Sequence, residues 1–124
     1  MIASSSAFGG ELTFAQAKSL ADHDEGAISQ QQKVVLDQSQ APAVQAGLSR
    51  CLGANGAKPF SFVVVVELDS TGKIRKTWRS DDAAITNCFQ SIVAKATLFL
   101  PPKSPFYSSF EMNLSADDIR QVAQ

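Results

Sequence analysis

The sequence predicts an α+β fold. The expected core is a three-stranded antiparallel sheet in a split β-α-β arrangement, with helices packed on one face and extra N-terminal helices ahead of it. Three observations predict it. Residues 60–68 are an apolar run of strand length, and the turn residues Asp69-Ser70-Thr71-Gly72 lead from it into an alternating segment, 73–79. Residues 85–96 carry the cleanest 3.6-residue apolar period in the chain. A last alternating segment, 107–114, follows Pro101-Pro102.

Bulk properties narrow the class. At 124 residues, with 44% apolar and 19% charged positions, the chain has enough apolar surface for one packed domain, expected over residues 11–124. A formal net charge of −1, with Lys and Arg scattered, argues against nucleic-acid binding. No apolar run approaches the roughly 18–20 residues that span a bilayer. Residues 1–10, MIASSSAFGG, read either as a signal-peptide remnant, with Ser5-x-Ala7 as a small-x-small cleavage site, or as a flexible N-terminus.

Each element has a local reason. Thr13 and Gln16 form a capping box opening a short helix through Phe14, Ala17, Leu20 and Ala21, which Asp22-His23-Asp24-Glu25-Gly26 is expected to break. Residues 28–37 read as a polar helix with Ile28, Val35 and Leu36 as its thin apolar stripe. Residues 38–41 read as a linker, and Pro42 suits the first turn of a further helix, 42–52. That helix aligns Val44, Leu48, Cys51 and Leu52 on one face and is expected to end on a left-handed Gly53, with Asn55-Gly56 continuing the turn.

Strand 60–68 is apolar on both faces at its middle, which marks a central strand covered on both sides. Gly72 supplies the positive φ that a tight hairpin needs. The returning segment places Ile74 and Trp78 on one face, with Arg75, Thr77 and Arg79 on the other, and its charge suits a protected edge. Ser80, Asp81 and Asp82 are expected to cap the helix carrying Ile85, Cys88, Phe89, Ile92, Val93 and Ala96. In the last strand Phe110, Met112 and Leu114 point inward, and Tyr107, Ser109, Glu111 and Asn113 outward. Ser115 and Asp118 then open a short terminal helix with Ile119 and Val122 as its contacts. The Val-rich strand sits in the middle, giving the order 2-1-3.

The two cysteines are either a disulfide or two inert buried thiols. Cys51 and Cys88 both lie on apolar helix faces turned toward one core, which favours the bond. There is no CxxC, so neither a redox-active pair nor a zinc knuckle is supported.

In order and spacing, Arg50-Cys51, residues 62–69, Gly72-Lys73-Ile74, Asn87-Cys88 and Phe99-Leu100-Pro101-Pro102 resemble the C-terminal domain family of TonB, the periplasmic energy transducer, and more closely its AgmX-like relatives. The resemblance covers about residues 43–114 and rests on several short motifs in series. It implies the fold, a periplasmic location, and capture of an extended partner segment along an exposed strand edge. Energy transducers of that family carry a membrane anchor and a Pro-rich spacer. Here a helical segment precedes the domain instead, so an interaction module is expected rather than a coupling of two membranes.

No catalytic signature emerges. Asp22-His23-Asp24-Glu25 holds the lone His of the chain in a consecutive run, which suits a solvated helix end better than a metal site. No G-x-S-x-G elbow surrounds a serine, and Gly53-x-x-Gly56 precedes a strand rather than a helix. Trp78 reads as packed, and Lys73, Arg75, Lys76 and Arg79 as a charged strip on the hairpin.

The expected function is that of a secreted, periplasmic, non-enzymatic module without cofactor or metal. It binds a protein partner, or a second copy of itself, along the last strand through Tyr107, Ser109, Glu111 and Asn113. The alternative is an immunity or inhibitor protein that occludes a toxin's active site with a protruding loop, Lys103-Ser104-Pro105-Phe106. A third class is a small-molecule binder with a pocket between the sheet and residues 11–38.

Overall fold

A computed structural model describes residues 11–55 and 58–117. Its elements are α1 (Phe14–Ala27), α2 (Gln30–Cys51), a 3-10 turn (Leu52–Asn55), β1 (Phe60–Leu68), β2 (Ile74–Arg79), α3 (Ala84–Val93) and β3 (Phe106–Leu114). The strands form an antiparallel sheet in the order β2-β1-β3. The readings of residues 1–10, of Gly56 and of a terminal helix through Ile119 and Val122 lie outside the described residues.

The alternation of β1 divides the core as its sequence requires. Phe62, Val64, Val66 and Leu68 are buried against Leu36 and Leu48 of α2 and Ile85, Phe89 and Val93 of α3. Val65, on the opposite face, packs with Tyr107 beneath Ala17 and Ala21 of α1. The first helix therefore covers the second face of the sheet. Two alanines let its backbone approach closely, Phe14 packs against the same cluster, and Asp24 and Glu25 add polar contacts to β3.

Several local expectations change in the folded chain. The Thr13–Gln16 capping box is present, but α1 runs on through Asp22, His23, Asp24 and Glu25 to Ala27. A second capping box, Ser29 with Gln32, opens α2, which continues unbroken through Pro42 to Cys51. Proline there removes one helical N–H, yet the turn ahead of it is tied down from outside. Ser39 Oγ accepts the Phe99 N–H at 3.0 Å, and Gln40 Nε2 donates to Ser108 Oγ at 2.9 Å. Gly53 lies inside the 3-10 turn without a positive φ, because the chain tightens after Cys51 rather than reversing its handedness. Asp81 does not cap α3 as a first-turn acid. Its Oδ1 accepts the Ala83 N–H at 2.9 Å and the Thr86 hydroxyl at 2.7 Å, fastening the approach, and the helix begins at Ala84.

Trp78 and Ile74 were expected on one face and lie on opposite faces. Val65 pairs with Trp78 and Glu67 with Lys76, but Leu68 pairs with Ile74, so the register slips by one residue at Arg75. Such a bulge inverts the alternation beyond it. Ile74 joins the α2/α3 core, and Trp78 packs with the α1 layer, its Nε1 donating to Leu12 O at 3.0 Å.

Gly47 lies where α2 presses directly on Phe89 of α3. A Cβ there would stand 2.5 Å from two ring carbons of Phe89, which is itself fully buried. Alanine at an ordinary helical site gains about 0.5–1 kcal/mol over glycine. Here the overpacking of about 1–3 kcal/mol outweighs it. Gly47→Ala is expected to lower the free energy of urea unfolding by about 1–2 kcal/mol.

Candidate functional site: the two edges of the sheet

The backbone geometry determines which groups each edge presents. The Ser80 N–H donates to Val63 O at 3.0 Å, and the Val63 N–H to Ser80 Oγ at 3.0 Å. Odd residues of β1 therefore bond to β2 and even ones to β3, because antiparallel bonding alternates along a strand. With the observed registers, Thr77 and Arg79 of β2 turn their backbone N–H and C=O groups out of the sheet. So do Tyr107, Ser109, Glu111 and Asn113 of β3.

At β3 the outward groups of Tyr107 and Ser109 are already engaged. Asp24 Oδ2 accepts the Tyr107 N–H at 2.9 Å, and Glu25 Oε2 accepts the Ser109 N–H at 2.9 Å together with the Ser108 hydroxyl. Gln40 Nε2 approaches Ser109 O at 3.5 Å. Two carboxylates and an amide thus stand where a fourth strand's backbone would stand. Asp24 is 2% exposed, with Lys103 Nζ at 3.0 Å as counter-charge. Lys33 Nζ lies 3.7 Å from Glu25.

The side chains singled out for partner binding divide accordingly. Tyr107 and Ser109 are buried beneath α1, whereas Glu111 and Asn113 are exposed. The Tyr107 hydroxyl donates to Glu67 at 2.8 Å, and burial, then that neighbouring carboxylate, hold its proton on well above the usual phenol range. Glu111 meets Lys18 at 3.0 Å, and Asn113 Oδ1 accepts the Ser61 hydroxyl at 2.7 Å. Cys51 and Cys88 form the disulfide, with their Cα atoms 5.7 Å apart.

The acidic run 22–25 splits in the fold. Asp22 pairs with Lys18, His23 is exposed, and Asp24 and Glu25 turn onto β3. Among the described residues no three His, Cys, Asp or Glu side chains converge to hold a metal ion. No described helix is long and apolar enough to cross a membrane. Lys103 of the loop ahead of β3 donates to Pro105 O at 3.2 Å and Phe106 is buried, which holds that loop down.

The β2 edge differs. At its start Thr97 forms an isolated bridge with Lys73, and the Leu98 N–H donates to Gly72 O at 2.8 Å. Beyond that bridge a groove of about 400 Å³ opens along the strand, walled by Phe14 and Trp78 on one side and Gln90 on the other. Among the described residues, nothing hydrogen-bonds to the outward backbone groups of Thr77 and Arg79. Their side chains are held in place. Gln90 Nε2 donates to Thr77 Oγ1 at 2.9 Å and its Oε1 accepts from Arg79 Nη1 at 3.1 Å, while Arg79 Nη2 reaches Asp82 at 2.7 Å.

The hairpin that presents this edge is organised by Asp69. Its Oδ1 accepts from the Thr71 hydroxyl at 2.6 Å, the Thr71 N–H at 2.9 Å and the Lys73 N–H at 3.1 Å, and Arg75 Nε reaches Oδ2 at 2.9 Å. Gly72, at φ +85°, closes the turn with its N–H on Asp69 O at 3.0 Å. The Thr71 hydroxyl foremost, then the backbone N–H groups and Arg75, hold the Asp69 carboxyl at about 2, below its ordinary 3.8. A depressed folded pKa means stability present above the unfolded value and lost as pH falls through the folded one. The hairpin is therefore expected to weaken between about pH 4 and pH 2, and Asp69→Asn to remove that part of the acid dependence of the urea midpoint.

Sequence reasoning missed Asp24, Glu25 and Gln40 as edge caps, and no local signal marks them, since Asp24 and Tyr107 are 83 residues apart. The Ser29-x-x-Gln32 capping box was visible and indicates where α2 begins. No family model, curated protein or solved structure matches the chain.

Proposed function

We propose that this chain is a non-enzymatic protein-interaction module of an oxidising compartment such as the periplasm, and that it captures an extended partner segment by strand addition at the β2 edge. The carrying observation is the pair of outward-facing, unbonded backbone positions, Thr77 and Arg79, in an open groove. An extended segment laid there gains main-chain hydrogen bonds from the edge and specificity from alternate side chains. The disulfide fits secretion. The order of motifs that resembles the TonB C-terminal family favours the same mode of binding.

The edge expected from the sequence, β3, is the less accessible one near its start, because α1 occupies it. The inhibitor reading gains no support from its candidate loop, which Lys103 ties to Asp24.

Thr77→Pro is the direct test. Its N–H faces away from β1, so proline there is compatible with an edge strand while removing a donor and filling the groove. In a pull-down from periplasmic extract with the oxidised protein, a partner held by the wild type should be lost from Thr77→Pro. Equal capture by both would overturn strand addition at β2. Near-ultraviolet circular dichroism of Trp78 checks that the variant remains folded.

A further inference from the structure

Resting on the strand-edge reading above, we infer that the β2 groove takes an extended segment of a different protein carrying a carboxylate and an apolar side chain two positions apart, the carboxylate over Lys76 and the apolar group over Trp78 and Phe14.

The free edge is short. The Lys73–Thr97 bridge closes one end, leaving residues 75–79, about 17 Å at roughly 3.4 Å per residue. A strand added there sends alternate side chains to opposite faces. On the α2/α3 face it meets Thr77 and Arg79, whose polar groups are already matched through Gln90 and Asp82. That face has little left to recognise. On the α1 face it meets Lys76 and then Trp78, two positions apart on one strand, with Phe14 as the outer wall beside the indole.

The charges around Lys76 explain why a carboxylate is the complement. Arg75 is paired with Asp69 at 2.9 Å and Arg79 with Asp82 at 2.7 Å. Glu67 lies opposite Lys76 on β1, but its carboxylate accepts the Tyr107 hydroxyl. Lys76 forms no ion pair among the described residues. Asp81 and Asp82 line the far end of the groove, so a carboxylate is disfavoured there and the acidic position of the partner is set on the Lys76 side. Opposite charges on directly facing strand positions attract, and like charges repel.

Pairing centred within the middle of β2 does not let a second copy of the chain supply this complement. Antiparallel pairing of two β2 edges about Thr77 sets Arg75 against Arg79 twice. Pairing about Trp78 sets Lys76 against Ser80. Neither register places a carboxylate on Lys76.

The experiment is selection of phage-displayed random nonapeptides on the oxidised protein, followed by calorimetry with the synthetic consensus peptide. The expected consensus has Asp or Glu two positions from a large apolar residue and does not bind Thr77→Pro. On Lys76→Glu, affinity for that peptide should fall about tenfold, corresponding to about 1.4 kcal/mol, and reselection should replace the acidic position by Lys or Arg. Because Lys76 is exposed, this arm does not depend on how the proline variant folds. A Thr77→Pro-sensitive consensus that lacks the carboxylate, or that ignores Lys76→Glu, overturns this inference and leaves strand addition standing. So does a concentration-dependent dimer that Thr77→Pro abolishes in sedimentation. Absence of any Thr77→Pro-sensitive consensus overturns both.

Discussion

Cys51→Ala with Cys88→Ala is expected to cost about 4 kcal/mol of unfolding free energy. The bond closes a loop over a sequence separation of 37, and the chain-entropy relation assigns such a loop about 4 kcal/mol through the denatured state. That is a large share of the roughly 5–15 kcal/mol typical of a domain. The location adds a second reason for a large effect. Cys51 is fully buried at the end of α2, and Cys88 packs beside it on α3, so the bond joins the two helices that cover the same face of the sheet. Urea unfolding of the oxidised protein, the reduced protein and the double variant measures the loss. A difference below about 1 kcal/mol would mean that the reduced denatured chain already keeps α2 and α3 together, against the entropic account.

Asp24→Ala with Glu25→Ala is expected to cost about 3 kcal/mol and to expose the β3 edge. The double change strands the Tyr107 N–H, the Ser109 N–H and the Ser108 hydroxyl, each of which loses its acceptor. An unsatisfied buried donor costs about 1–3 kcal/mol, and water reaching the partly exposed Glu25 site offsets part of that. Lys103 adds little to the loss, because its side chain is 56% exposed and can return to water. Hydrogen exchange at Tyr107 and Ser109 should accelerate, and the opened edge should promote association at high protein concentration. Asp24→Asn with Glu25→Gln keeps an acceptor oxygen at each position and should retain most of the protection. Unchanged exchange in the alanine variant would show that the carboxylates do not guard the edge.

Much of this architecture is legible in local sequence. The two-faced apolar pattern of residues 60–68 places β1 between two layers, and both layers are present. Gly72 takes the positive φ that its turn needs. The period through Ile85, Phe89 and Val93 presents the buried face of α3, and the two inward cysteines meet. Trp78 was misplaced for a definite reason. Counting by twos assumes an unbroken ladder, and the extra residue at Arg75, which reaches Asp69, breaks it. Pro42 misled in the same way, since a local rule about helix starts was overridden by contacts from Phe99 and β3 to the preceding turn.

The sites follow a different logic from the elements. The proposed binding edge follows from which edge is left open, and Asp24 and Glu25, which look like solvated helix residues in the sequence, close the start of β3. Apolar periodicity is written into neighbouring residues, so strands, the hairpin, the helix faces and the sheet order can be read from the chain itself. The side of the sheet that α1 covers, the capping of β3 and the opening of β2 arise from pairings between distant groups. A carboxylate's hydrogen-bonding capacity is the same on any helix, and the acceptor it becomes depends on which donor the folded chain brings within 3 Å.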